Sequence, residues 1–313
     1  MQRRALLGTA LLALAGCQTV PAPAPPAAPP AAPAPVPGPV PGPSPAAPAP
    51  LRPPRLGLAL GGGAARGFAH IGVIQVLEEA GIRPDLVVGT SAGSLVAALY
   101  AHGKTGTELA AMALTMDEAA ITDWGFPSRG LIRGEALARY VREQTGGLPI
   151  EQMKLPLGIV ATDLDSGAGV LFRRGDTGTA VRASSSVPAV FQPVKIGERE
   201  YVDGGLVSPV PVRYAREMGA EMVIGVDIST PPDGAATDGT MRLLLQTFAI
   251  MGKSINRYEL READVVLRPA LVGVGSADFT ARVRAIRAGR ETAQAQLGEI
   301  RRKLQLLARP AAG

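Results

Sequence analysis

The chain has 313 residues, of which 46% are hydrophobic, 19% charged and 4% aromatic, with a formal net charge of +5. This composition allows a sizeable core and one large domain or two small ones. The mild positive excess, without Lys/Arg runs interleaved with aromatic residues, argues against nucleic-acid binding. The single cysteine excludes an intramolecular disulfide framework.

The first 16 residues are typical of an export signal. Arg3 and Arg4 precede an apolar run at 5–15 that is too short to span a bilayer. The run ends in a Leu-Ala-Gly-Cys sequence that resembles the lipobox of bacterial lipoproteins. That resemblance implies cleavage before Cys17 and attachment of a diacylglycerol to its thiol. A generic secretory signal is the alternative, and the arginine pair is also compatible with twin-arginine export.

Residues 17–54 are almost wholly proline and alanine after the first few positions. Proline fixes φ and removes an amide donor, so we expect a disordered, extended tether of ~3.1 Å per residue where it is fully extended. The residue after the cysteine, Gln18, resembles that of lipoproteins sent to an outer membrane. We therefore expect an exported lipoprotein of the cell envelope that meets the membrane surface through lipidated Cys17.

From Arg55 onward, short apolar runs alternate with segments of helical periodicity. This alternation predicts an α/β fold with a mostly parallel central sheet flanked by helices. The loop 121–131 carries the only tryptophan, Trp124, and both a lid and core packing are open interpretations of it. The pattern predicts strands at 56–60, 86–88, 155–161, 169–173, 194–196, 200–202, 222–226 and 265–267, and helices at 68–80, 94–101, 107–116, 134–144, 210–218, 241–263 and 279–308.

A glycine-rich loop follows the first of these strands. Gly61, Gly63 and Gly67 miss the dinucleotide-binding spacing by one residue, and the loop lacks the Gly-Lys-Ser/Thr ending of a P-loop. We therefore expect no nucleotide. Consecutive glycines at Gly61, Gly62 and Gly63 expose backbone N–H groups, as an oxyanion hole requires. A purely structural turn is the alternative.

The second predicted strand runs into Gly89-Thr90-Ser91-Ala92-Gly93, and a helix follows. Strand, sharp turn and helix form the setting in which the serine of G-x-S-x-G becomes a nucleophile. Gly89 and Gly93 lack side chains, which allows the tight turn and close strand–helix packing. Ser91 is therefore the candidate nucleophile, although an ordinary strand–helix turn has the same pattern.

A serine nucleophile needs a base, and the histidine count limits the choice. Only His70 and His102 are present. His70 lies in a helix, where a structural role is expected. His102 ends the helix that Ser91 begins, on the order of 15 Å from the hydroxyl. A Ser-His-Asp triad is thereby nearly excluded.

The remaining candidates for the base are carboxylates. Asp203 leaves a predicted strand and is followed by Gly204 and Gly205, which leave its approach to a neighbouring backbone unobstructed. Asp163 and Asp227 also lie at strand ends and compete for the role. A capping or turn function is open for all three.

Four blocks occur in order along the chain, at 61–67, 89–93, 183–188 and 203–205. Together they resemble the signature of patatin-like phospholipases, over roughly 55–267. The resemblance implies a three-layer patatin-like α/β fold and a Ser-Asp dyad that hydrolyses lipid acyl esters without a metal ion or other cofactor. It also implies an acyl-ester lipid, such as a phospholipid, as the substrate.

Carried over by position, the resemblance makes Ser91 the nucleophile, Asp203 the base and Arg66 a positioning residue of the loop. It makes the three loop glycines, 61–63, the oxyanion donors, and Gly89, Gly93, Gly204 and Gly205 motif positions. We expect a catalytic domain at 55–270 and a C-terminal helical extension packed on it at 271–313. The alternative is a catalytically silent lipoprotein of the same fold that binds a lipid or a partner.

Overall fold

The computed structural model describes residues 22–23, 51–124, 129–229 and 238–310. The chain divides into two compact units, Met1–Pro48 and Ala49–Gly313, and every described helix and strand belongs to the second. The predicted signal peptide, Cys17 and nearly all of the predicted tether lie outside the described residues.

The second unit alternates strands and helices along the described chain. Its strands are β1 (Leu51–Arg52), β2 (Leu56–Leu60), β3 (Leu86–Thr90), β4 (Gly130–Ile132), β5 (Leu157–Asp163), β6 (Gly169–Phe172), β7 (Ala189–Phe191), β8 (Val194–Ile196), β9 (Arg199–Asp203), β10 (Met222–Val226), β11 (Val265–Leu267) and β12 (Arg309–Pro310). Its α-helices are α1 (Phe68–Glu79), α2 (Ala92–His102), α3 (Gly106–Thr115), α4 (Glu135–Gln144), α5 (Thr177–Ser184), α6 (Val212–Glu217), α7 (Thr240–Glu259) and α8 (Arg282–Leu306).

The central sheet has eight described strands in the order β11-β10-β2-β3-β5-β9-β8, with β6 also paired to β5. Neighbours from β11 to β5 are parallel, whereas β6, β8 and β9 pair in antiparallel fashion. The mostly parallel α/β sheet predicted from the sequence is therefore confirmed. The antiparallel part contains the hairpin β8–β9, which turns at Gly197 in a left-handed conformation (φ 62°).

Helices cover both faces of this sheet and give three layers. Alternate side chains of β2 point to opposite faces, so Leu58 joins the core under α1, α2 and α8, while Ala59 joins the core under α6. Every residue of β2 is buried, as expected for a strand inside a parallel sheet covered on both sides. The chain continues from the carboxyl ends of the neighbouring strands β2 and β3 into the glycine-rich loop and Ser91, respectively.

The C-terminal helix α8 packs against α1 with unusually close backbones. A methyl group added at Gly72 would lie 2.0 Å from the Ile286 carbonyl oxygen, and one added at Gly289 would lie 2.0 Å from the Ala69 carbonyl oxygen. Only glycine permits this crossing. Within the described part of the chain, no helix combines the length and apolar character needed to cross a bilayer.

Candidate active site

Ser91 occupies a strained turn between β3 and α2. Its backbone adopts φ 54° and ψ −126°, a region that non-glycine residues avoid at a cost of about 1–3 kcal/mol. The turn is tight because strand and helix almost touch. A methyl group added at Gly89 would lie 2.4 Å from the Gly93 carbonyl oxygen, and one added at Gly93 would lie 2.1 Å from the Leu60 carbonyl oxygen. The turn therefore holds Ser91 at its tip.

Two serine side chains hold this turn in place. The Ser91 amide donates to Ser184 Oγ at 2.9 Å, and Ser184 Oγ donates to the Val160 carbonyl at 2.6 Å. Ser94 Oγ donates to the Ser91 carbonyl at 2.6 Å. Both helices that flank the turn, α2 and α5, thus bind the Ser91 backbone.

Asp203 ends β9 and is fixed through its backbone and one carboxylate oxygen. Its amide donates to the Ser186 carbonyl at 2.9 Å, and Thr162 Oγ1 donates to its carbonyl at 2.8 Å. The Gly205 amide donates to Asp203 Oδ1 at 2.7 Å. The other oxygen, Oδ2, is buried and has no hydrogen bond of normal geometry to any described residue. That oxygen is available to accept a proton.

The register of the sheet brings the candidate nucleophile and base together. Thr90 lies opposite Val160 and Asp203 lies opposite Ala161, so Ser91 and Asp203 stand at the same level on either side of β5. Burial raises the pKa of Asp203 to about 6, and the nearby Ser91 hydroxyl and the Gly205 amide oppose that rise. The Ser91 hydroxyl therefore lies near the Asp203 carboxylate, but it forms no hydrogen bond of normal geometry with Oδ2.

The two competing carboxylates are engaged elsewhere. Asp163 accepts from Arg199 at 2.7 Å, and this partner together with Ser166 lowers the pKa of Asp163 to about 2. Asp227 accepts from Ser229 and forms an ion pair with Arg268 at 3.3 Å. Neither carboxylate has a free buried oxygen, so Asp203 is the best placed of the three to act as a base.

The glycine-rich loop lies beside Ser91, but it corrects one expectation. The Gly61 amide donates to the Val226 carbonyl at 3.0 Å, and the Gly62 amide donates to the Pro209 carbonyl at 2.9 Å. Neither amide is free to bind an oxyanion, so Gly61 and Gly62 do not fit the role predicted for them. Within the described chain, the Gly63 amide donates to no acceptor, and the next amide, that of Ala64 (φ 49°), is equally unengaged.

Gly62 has a different role in the loop. A methyl group added there would lie 3.1 Å from Ser91 Cβ and 3.8 Å from Ser91 Oγ. The missing side chain thus lets the loop backbone approach the Ser91 hydroxyl closely.

Arg66 and His70 support the loop from behind. Arg66 is buried and donates to the Ser229 carbonyl at 3.0 Å, and burial lowers its pKa. His70 Nε2 lies 2.8 Å from the Gly61 carbonyl, to which we assign it as the donor. Burial lowers the pKa of His70 to about 4, so the ring is neutral at neutral pH. Both side chains thus lie against backbone carbonyls at or beside the loop, and the positioning role of Arg66 stays a prediction.

A family model described as patatin-like phospholipase matches residues 58–216, a span that includes Ser91, Asp203 and the glycine-rich loop. This chain belongs to the patatin-like phospholipase family. The resemblance carried by the four sequence blocks is thereby confirmed.

Other patatin-like and NTE family proteins share this domain. An uncharacterized NTE family protein of Mycobacterium tuberculosis is 38% identical over 200 residues, which cover 61% of this chain and 55% of that protein. A second uncharacterized NTE family protein of the same species is 32% identical over 269 residues, which cover 77% of this chain and 46% of that protein. Patatin-like phospholipase domain-containing protein 6 of Mus musculus is 35% identical over 184 residues, covering 56% and 14%. The chain thus spans about half the length of its bacterial relatives and a small part of the mouse one.

A solved structure shares the patatin-like fold. VipD from Legionella pneumophila superposes with a TM-score of 0.56 at 14% identity, covering 80% of this chain and 68% of that one. At this identity the likeness concerns the fold alone.

Ser91 of this patatin-like domain lines two cavities. The first, of about 170 Å³, is almost wholly apolar and is walled by α1, α2, α3 and α4. The second, of about 370 Å³, contains Asp203, Gly62 and Gly63, and is bordered by the inner side of α7. Trp124 is 71% exposed and lines neither cavity, while its neighbours Phe126 and Pro127 lie outside the described residues.

The sequence did not identify Ser184, Ser186 and Thr162 as parts of the site. Within the block at 183–188, the Ser184 hydroxyl accepts from the Ser91 amide and the Ser186 carbonyl accepts from the Asp203 amide. The position of that block in the family signature was the available signal.

Proposed function

We propose that this protein is a serine esterase of the phospholipase A type that works through a Ser91-Asp203 dyad. The observation that carries the proposal is the pairing of a serine in a strained turn with a buried carboxylate of raised pKa that has a free oxygen. Membership of the patatin-like phospholipase family supports a lipid acyl ester as the substrate.

The proposed reaction proceeds in two steps. Ser91 Oγ attacks the ester carbonyl while Asp203 Oδ2 accepts the hydroxyl proton, and the Gly63 amide donates to the developing oxyanion. The carbon–oxygen bond to the alcohol breaks, and the alcohol leaves with the proton from Asp203. Water then attacks the acyl-serine and gives a proton to Asp203. The bond between the acyl carbon and Ser91 Oγ breaks to release the fatty acid, and Asp203 returns the proton to Ser91 Oγ.

The two cavities suit the two halves of such a substrate. The apolar cavity offers aliphatic walls for an acyl chain, whereas the cavity that contains Asp203 is the more polar one, with room for the alcohol. Ser91 belongs to the walls of both, where the scissile carbonyl must lie.

We further propose that the protein acts in the cell envelope, held to a membrane by lipidated Cys17. The lipobox-like sequence supports this location. Mass spectrometry of the mature N-terminus tests it. A diacylated Cys17 at the first position is expected, and an unmodified thiol or cleavage elsewhere would overturn it.

The dyad is tested with Ser91→Ala, Asp203→Asn and the surface control Thr107→Ala, each assayed on a soluble short-chain ester and a phospholipid panel. Ser91→Ala should abolish hydrolysis and labelling by a fluorophosphonate, and Asp203→Asn should lower kcat by about 10²–10⁴. Thr107→Ala should behave as the wild type. Full activity in Ser91→Ala, or a folded wild type that neither reacts nor hydrolyses, would refute the proposal.

A further inference from the structure

Helix α7 carries an unusual concentration of exposed apolar side chains. Of the fourteen large hydrophobic side chains exposed among the described residues, six belong to α7, namely Leu243, Leu244, Leu245, Ile250, Met251 and Tyr258. Leu243 is 55% exposed and Ile250 is 51% exposed. A water-facing helix normally turns such residues toward the core, so this face is available to bind something apolar.

Apart from Leu245, which lies on the inner side of the helix, the exposed apolar residues form one continuous stripe. At 3.6 residues per turn, Leu243, Thr247, Ile250, Met251 and Ser254 share one side of the helix, and all five are exposed. The opposite side holds the buried residues Gly252, Asn256 and Glu259. The apolar stripe therefore points away from the protein along most of the helix.

Cationic side chains flank the stripe on one side. Lys253 and Arg257 are exposed and one turn apart, whereas Arg242 on the same flank is ion-paired with Asp238. The single acidic residue of the helix, Glu259, is buried and accepts from Ser208. The accessible surface of α7 thus combines apolar and positive groups, which matches an anionic lipid surface.

The same helix borders the candidate active site. Leu245 and Phe248, on its inner side, line the cavity that contains Ser91 and Asp203. A surface bound to the outer side of α7 would therefore lie next to the entrance of that cavity.

From this arrangement we propose that the outer face of α7, defined by Leu243, Leu244, Thr247, Ile250 and Met251, docks on the surface of an anionic lipid bilayer. The docked helix lies in the headgroup layer, with the apolar stripe inserted and Arg257 against lipid phosphates. The docking itself is independent of catalysis. Only its consequence, delivery of lipid to Ser91, rests on the proposed function.

The experiment uses the full chain with Cys17→Ser, so that no lipid anchor contributes. Sedimentation with vesicles of phosphatidylcholine, with or without phosphatidylglycerol, compares Leu243→Gln/Ile250→Gln with the control Val283→Gln/Leu306→Gln. The control residues lie on α8 and are 54% and 65% exposed, so the two pairs are matched in exposure. A third pair compares Arg257→Gln with Arg301→Gln, an exposed arginine of α8.

The α7 double variant should lose about tenfold in vesicle binding, because two side chains no longer insert. The α8 double variant should bind as the parent does. Arg257→Gln should lose about fivefold on phosphatidylglycerol vesicles, and Arg301→Gln should lose nothing. The proposal is overturned if the parent does not bind, if the two doubles lose equally, or if Leu243→Gln/Ile250→Gln instead dissolves a dimer in light scattering.

A soluble short-chain ester separates this proposal from the catalytic one. The α7 double variant should hydrolyse it at the parental rate but lose activity on vesicles, whereas Ser91→Ala should bind vesicles normally. If the α7 double variant bound vesicles as the parent does, the docking proposal would be refuted and the catalytic proposal would be unaffected. If the parent bound vesicles but hydrolysed no ester, the catalytic proposal would be refuted and the docking proposal would be unaffected.

Discussion

Asp203 links the proposed reaction to pH, because only its ionised carboxylate accepts the Ser91 proton. Burial raises the pKa of Asp203 to about 6. We expect kcat/KM for a soluble ester to rise with pH through about 6, and to fall about tenfold for each unit of pH below it. A pH–rate profile of the wild type measures this. A midpoint near the ordinary carboxylate value of about 4 would contradict it.

Ionisation of Asp203, which the proposed reaction requires, lowers the stability of the folded protein. Its pKa is raised above the unfolded value, so the stabilisation present at low pH is lost as the pH rises through about 6. Asp203→Asn removes this loss and should raise the free energy of unfolding at pH 8 by on the order of 3 kcal/mol. Urea unfolding at pH 8 and at low pH measures the difference, which should vanish at low pH.

Asp163 provides a control, because removing its charge should change the stability at pH 8 in the opposite direction. Arg199 lowers the pKa of Asp163 to about 2, so its stabilisation is present above the unfolded pKa and is lost as the pH falls through about 2. Asp163→Asn should therefore destabilise the protein at pH 8. If both variants shift stability in the same direction, the assignment of Asp203 as the strained carboxylate is wrong.

Ser184 is a positioning residue that acts through the Ser91 backbone. Ser184→Ala leaves the buried Ser91 amide without its acceptor, which should cost about 1–3 kcal/mol of stability and lower kcat by about tenfold with little change in KM. The control is Thr145→Ala, which removes a buried hydrogen bond to the Val141 carbonyl at a position that lines neither cavity. Steady-state kinetics on both variants should show a loss of kcat for Ser184→Ala alone.

At the level of elements, the crossing of α1 and α8 rests on glycine. Gly289→Ala would force its methyl group against the Ala69 carbonyl and should destabilise the protein by about 1–3 kcal/mol. Gly298, on the same helix, has no neighbour within 4 Å, so Gly298→Ala should stabilise the protein by up to about 1 kcal/mol. Thermal unfolding compares the two. Equal effects would mean that α8 does not pack as described.

The central elements could be predicted from the sequence because their patterns are local. The run at 56–60 and the run at 222–226 are continuous apolar segments, and both are strands with those boundaries. The predicted helix 241–263 ends earlier, at Glu259, because Leu260–Glu262 tightens into a 3₁₀ turn. The short pair β4–β7 was not predicted, since three-residue strands pair only when distant segments meet.

The candidate site likewise has residues that local sequence identifies and contacts that only the folded structure shows. Ser91 and Asp203 could be singled out because each stands beside glycines that local sequence displays. The acceptors of the Gly61 and Gly62 amides, Val226 and Pro209, are far away in the chain, so their engagement is visible only in the folded structure. The free buried oxygen of Asp203 depends equally on the packing of distant segments.

For the whole molecule, the apolar cavity is the feature that no single element contains. Four helices wall it, and α3 contributes Leu109, Met112 and Ala113, while Ser91 and Ala92 belong to the wall that meets the reactive hydroxyl. The acyl-chain preference of the proposed reaction should therefore depend on residues of α3, 18 to 22 positions after Ser91 in the sequence.

Ala113→Phe tests this arrangement. The larger ring fills the cavity, so kcat/KM for a palmitate ester should fall about tenfold relative to that for a butyrate ester. Ala111→Phe is the matched control, because Ala111 is exposed on the same helix and does not line the cavity, and its selectivity should equal that of the wild type. Equal losses on both esters in Ala113→Phe would point to distortion of the fold. Unchanged selectivity would place the acyl chain elsewhere, which leaves the larger cavity beside Asp203 and α7 to hold it.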